Sequence, residues 1–149
     1  MLDSRLRIGA IFVAAALIAS VAAQESTQLS VWDGVYTSAQ AERGHVLYDR
    51  HCGECHGDDL EGDAEAPALA GSDFLWKWNG ATLHQLFQRV HRDMPLYKAG
   101  SLSQPTSAAI LAFILSACQL PPGRIDLSPN EQFLKQILIE PSKNSGKAK

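Results

Sequence analysis

A chain of 149 residues with 13 Lys and Arg against 16 Asp and Glu, net charge −3, has no surplus of cations with which to hold nucleic acid, whose phosphates demand a basic face. Its length and 46% hydrophobic content suit one domain with a modest core. Three cysteines, an odd number, leave at least one outside any internal disulfide.

At the N-terminus, Arg5 and Arg7 precede an apolar run over residues 8–21, which ends in the small residues Ala22 and Ala23. That order predicts a secretory signal peptide over 1–23, cleaved after Ala23. The run is shorter than the roughly 20 residues that span a bilayer. An uncleaved anchor is the alternative, and it is the one route by which this sequence would meet a membrane. Residues 24–36 are then a lead-in to the domain.

"TSAQAERGHVLYDRH" predicts the first helix. Thr37 or Ser38 can cap it, Gln40 can complete a capping box with Thr37, and Ala41, Val46 or Leu47, and Tyr48 recur at helical spacing. Gly44 stands inside it, although a mid-helix glycine costs about 1 kcal/mol relative to alanine.

The helix runs into "HCGECHG", and Cys-x-x-Cys-His has three uses. A dithiol redox pair belongs in a strand-helix context, and no β-branched strand precedes Cys52. Structural zinc wants four ligands, in paired motifs, and no second pair is present; Cys118 stands alone. The third use is covalent haem attachment: two thiols one turn apart can add to the two porphyrin vinyl groups while the next residue's imidazole reaches the iron. Cys52 and Cys55 are therefore the expected thioether residues of one haem c, and His56 its proximal ligand.

"DDLEGDAEAPALAGSDF" is acidic, Gly-rich and Pro-containing, and predicts an exposed loop. Trp76 and Trp78 follow. "ATLHQLFQRV" predicts a short amphipathic helix with Leu83, Leu86, Phe87 and Val90 inward. The polar loop behind it holds Met94, the sole thioether once the signal peptide is removed, and Pro95 discourages helix there. Met94 is the expected sixth ligand; His91 is the alternative donor, and core filler is the plain reading of a single methionine.

"LSQPTSAAILAFILSA" predicts the closing helix, with Ile110, Phe113, Ile114 and Cys118 on one face; Cys118 reads as a small buried apolar residue or as an intermolecular disulfide. "QLPPG" stops it. Beyond, residues 123–141 predict an arm with a helical start at Ser128-Pro129 that packs back on Val31 and Trp32, and 142–149 a solvated basic tail.

The "CGECHG", "APALAG" and "MP" segments and the two flanking helices resemble a class I c-type cytochrome of the exported bacterial kind, over about residues 31–122. "WDGVYT" and "GSLS" are similar to the small monohaem cytochromes that partner quinoprotein (PQQ) dehydrogenases. The resemblance implies an all-α, cytochrome c-like fold of three to five short helices around one haem, with the domain proper over 37–122. It implies close crossing of the first and last helices at Gly44 with Phe113 beside it, and a Pro67 carbonyl accepting from the His56 ring N–H. One of the Trp76 and Trp78 indoles, Trp78 by preference, is the expected donor to a haem propionate, with packing the role of the other. The function implied is a periplasmic, monomeric one-electron carrier, not an enzyme, between a dehydrogenase and a respiratory acceptor. An open-sited haem sensor or catalyst, and a subunit of a larger dehydrogenase complex, are the alternatives.

Overall fold

The computed structural model describes residues 28–143. The signal peptide expected over 1–23, and most of the basic tail, lie outside the described residues.

Six α-helices carry the fold among them: α1 (Ser38–His51), α2 (Gly53–His56), α3 (Gly71–Lys77), α4 (Leu83–Gln88), α5 (Gln104–Ala117) and α6 (Glu131–Lys135). The all-α expectation holds. One minimal parallel ladder joins β1 (Leu29–Ser30) to β2 (Ile137–Leu138), in the register Leu29 to Ile137.

The two long helices, α1 and α5, form the frame. Thr37 caps α1 through its side chain, which accepts from the Gln40 N–H at 3.1 Å. The capping box expected there does not form, because Gln40 has a stronger claim elsewhere. Its amide, 5% exposed, donates to the Leu127 carbonyl at 3.0 Å and accepts from the Leu127 N–H at 2.6 Å, so it clasps the C-terminal arm. Ser103 caps α5, and Pro105 occupies its first turn, where a missing N–H costs nothing.

Close approach of α1 and α5 explains Gly44. A methyl built there would stand 2.6 Å from the Ala109 carbonyl carbon and 3.0 Å from Phe113 Cβ. Phe113 lies beside the crossing as expected, its ring 4.5 Å from His45 and 5.2 Å from Tyr48. Tyr48, Ile110, Leu111, Ile114 and Leu115 are buried around it, whereas Val46 is 60% exposed, so Ala41 and Tyr48 carry the inward face of α1.

Two elements depart from expectation. The loop predicted to run through Phe74 ends at Ala70, because Phe74 and Leu75 bury their side chains and draw residues from Gly71 into α3. The arm's helix starts after Asn130, whose side chain accepts from the Phe133 N–H at 2.9 Å, and not at Ser128-Pro129. Beyond it the arm packs back on the lead-in: Ile137 and Ile139 are fully buried, and the Trp32 indole donates to the Glu140 carbonyl at 3.0 Å. Arg43 and Thr37 both hold Asp126, the arginine at 2.6 Å.

Candidate functional site

The cysteine-histidine turn is the direct continuation of α1. Cys52 closes that helix with its N–H on the Tyr48 carbonyl at 2.7 Å, and its own carbonyl accepts from Cys55 at 3.1 Å and His56 at 2.9 Å. Cys52, Cys55 and His56 thus share one helical turn. No disulfide joins the cysteines: Cys52 is half-buried and Cys55 exposed. Burial, with the neighbouring Cys55 second, pushes the Cys52 thiol up to about 11.

His56 is buried at 7% exposure, and its Nδ1 lies 2.8 Å from the Pro67 carbonyl. A carbonyl can only accept, so Nδ1 carries the proton and the ring's lone pair is on Nε2, which has no hydrogen-bond partner among the described residues. The loop between them is built to close. The Gly62 N–H donates to the His56 carbonyl at 2.8 Å, and a methyl on Gly62, whose φ is +65°, would stand 2.5 Å from the Pro67 carbonyl carbon. Leu60 turns inward to 4% exposure, and Asp63 accepts from the N–H groups of Glu65 and Ala66 at 2.7 and 2.8 Å. The Ala66 and Glu65 bonds hold the Asp63 carboxyl below the usual carboxylate range.

Met94 stands at the end of a π turn, Arg89–Asp93, that extends α4. An Arg89–Asp93 ion pair at 2.8 Å closes the turn, and Met94 leaves it with extended backbone, half-buried. His91, the alternative donor, has its Nδ1 3.2 Å from Ser107 Oγ on α5, and its ring lies against Phe87 at 5.6 Å. Trp78 ends α3 half-buried, its ring tilted on Phe74 at 6.5 Å, and its indole nitrogen has no partner among the described residues.

Tyr48 has a role its spacing did not reveal. Fully buried, its hydroxyl donates to the Gly57 carbonyl at 2.7 Å, tying α1 to the residue after His56. Desolvation first, then the nearby thiol of Cys52 and the carboxylates of Glu61, Asp49 and Asp58, raise its pKa, so it stays a donor. Helical periodicity marks Tyr48 as core; no local signal marks its partner.

Among the described residues no group of three or more His, Cys, Asp or Glu is gathered as a metal site. The residues do fit a haem c: two unpaired thiols and an imidazole in one turn, the far side of that imidazole already committed to a carbonyl. A groove of about 610 Å³ lies between lead-in and arm, bordered by Leu29, Val35, Ile125 and Phe133. It borders none of Cys52, Cys55, His56, Met94 and Trp78, and is a seam of the fold.

An all-helical fold carrying a Cys-x-x-Cys-His turn of this geometry defines a c-type cytochrome domain. Residues 39–114 match the family described as cytochrome c oxidase, cbb3-type, subunit III, and the chain belongs to that cytochrome c family. It is 33% identical over 79 residues to the cbb3-type cytochrome c oxidase subunit FixPc of Rhizobium leguminosarum bv. viciae, a match covering 51% of this chain and 27% of that protein. Its fold is similar to a chain of the sulfane dehydrogenase SoxCD from Paracoccus pantotrophus, with TM-score 0.50 and 25% identity over 78% of this chain and 61% of that one. The chain therefore spans about a quarter of the first protein and three-fifths of the second. Membership implies haem c binding and a part in electron transfer. No helix among the described residues is long and apolar enough to cross a membrane.

Proposed function

We propose that this protein is an exported, periplasmic one-electron carrier whose single haem c would be held covalently by Cys52 and Cys55, with His56 and Met94 as the residues that would ligate it. A haem c bound there supplies reversible one-electron exchange at its iron. The observation that carries the reading is the committed imidazole. With Nδ1 on the Pro67 carbonyl at 2.8 Å, the His56 tautomer and ring orientation are set, and Nε2 is the donor that remains.

The chain's residues divide the remaining work. Cys52 and Cys55 would retain the group in both oxidation states. The Pro67 carbonyl raises the basicity of His56. Met94, a weak thioether donor, would favour the ferrous state and leave no open site for oxygen or peroxide. Trp78 is the proposed donor to a propionate. No nucleophile or acid-base pair is required. The proposed donor is a dehydrogenase, of the quinoprotein type by sequence resemblance, and the proposed acceptor a respiratory component.

A second reading makes the chain a cytochrome subunit of a larger oxidoreductase complex. It is favoured by what the chain resembles, a cbb3-type oxidase subunit and a chain of a sulfane dehydrogenase.

The test is an absorption spectrum of the ferric protein exported in a host with haem-attachment machinery. A weak far-red sulfur-to-iron charge-transfer band is expected, lost in Met94→Ala. Attached haem without the band refutes Met94 ligation and brings an open-sited or His91-ligated haem forward.

A further inference from the structure

We propose that His91 is a positioning residue for Met94, acting through its bond to Ser107 on α5. The inference rests on the reading of Met94 as sixth ligand. Met94 is delivered by the π turn Arg89–Asp93, where Val90 is buried in the core and two polar anchors help to keep the turn in one place. One is the exposed Arg89–Asp93 pair, and exposed pairs hold little. The other is His91. Its ring lies against Phe87 at 5.6 Å, and its Nδ1 reaches Ser107 Oγ at 3.2 Å.

The direction of that bond follows from its neighbours. Ser107 is 0% exposed and its hydroxyl donates to the Ser103 carbonyl at 3.1 Å, so Oγ has only lone pairs left for His91. The proton therefore sits on His91 Nδ1, which donates. Ser103 in turn caps α5, accepting from the Thr106 N–H at 3.2 Å. A continuous chain of bonds thus ties the turn that precedes Met94 to the start of α5, the helix that crosses α1 at Gly44. His91 links the Met94 segment to the frame that also carries Cys52, and this explains why a polar side chain is turned toward α5 here.

The test uses the full haem-loaded protein. His91→Phe keeps a ring on Phe87 and removes the donor; Ser107→Ala removes the acceptor at the cost of one oxygen; His91→Asn restores an N–H donor near the place of Nδ1. The readouts are the far-red band of the ferric protein and the fraction of ferrous protein taking up carbon monoxide at neutral pH, with the thermal midpoint recorded beside them. His91→Phe and Ser107→Ala are each expected to weaken the band and raise carbon monoxide uptake about fivefold, the weight of one net hydrogen bond on a two-state population. The double variant should go no further than either single one, since both cut the same link. His91→Asn should stay within about twofold of the parent.

If the singles lower the thermal midpoint yet leave band and uptake at parental values, His91 is merely structural and the inference is wrong. Additive effects in the double variant also overturn it. Should His91→Phe fail to load haem, Ser107→Ala decides alone. A parent lacking the far-red band sinks the Met94 reading and this inference with it, whereas a parent with the band and variants that keep it sink only this one.

Discussion

Gly44→Ala tests the frame on which the site is hung. The added methyl meets the Ala109 backbone, with the carbonyl carbon at 2.6 Å, and Phe113 Cβ at 3.0 Å. A backbone carbonyl inside a helix cannot swing aside, so α1 and α5 must separate along a seam that buries Tyr48, Ile110 and Ala112 completely. Overpacking of this kind costs typically 1–3 kcal/mol, and rigid backbone on the receiving side puts it at the upper end. Alanine returns about 1 kcal/mol of helix propensity. The net expectation is a loss of about 2 kcal/mol, or roughly 8 °C of thermal midpoint for a domain of this size. Gly53→Ala is the control, because its methyl would meet only Asp58 Oδ1 at 3.6 Å and Tyr48 atoms at 4.0 Å, ordinary contacts. That variant should be neutral or gain up to about 1 kcal/mol. The assay is denaturant unfolding of both haem-loaded variants, read as midpoints at unchanged slope. A Gly44→Ala protein at least as stable as the parent would refute the close-crossing account.

Two further outcomes concern the Pro67 loop and the buried thiol of Cys118. Gly62→Ala pushes on the Pro67 carbonyl and so should break its bond to His56; a less basic imidazole stabilises ferric iron less, and the reduction potential should rise by about 40 mV, one net hydrogen bond, in voltammetry, an unchanged potential counting against the bond's role. Burial holds the Cys118 thiol up at about 11, from an ordinary value of 9.0, so above pH 9 the unfolded chain loses a proton that the folded one keeps. Stability should be flat in this respect below pH 9 and fall by about 2–3 kcal/mol by pH 11. Cys118→Ala should remove that slope in urea titrations, and a slope that survives would assign it to other groups.

The haem motif was legible in the sequence because its chemistry is local: Cys52, Cys55 and His56 lie within one helical turn, and any helix there brings them together. Helix existence was legible too, since Ala41 and Tyr48 or Leu83, Leu86, Phe87 and Val90 repeat at the period that burial requires. The Gly44 crossing and the Pro67 bond came through family resemblance and not from periodicity; the structure supplies their physical reason, a carbonyl of Ala109 where a methyl would be and a Gly62 turn that admits Pro67. Competition between partners lay beyond the sequence. Gln40 has equal local claim to its own helix end, and only the arm's return past α1 offers it the buried Leu127 backbone instead. Phe74 reads as loop until a core exists to bury it. His91 and Ser107 are on different elements, and nothing in either segment announces the other. Period and motif are properties of neighbours along the chain, which the sequence states outright; which donor meets which acceptor is a property of neighbours in space, and that is decided only when the helices cross.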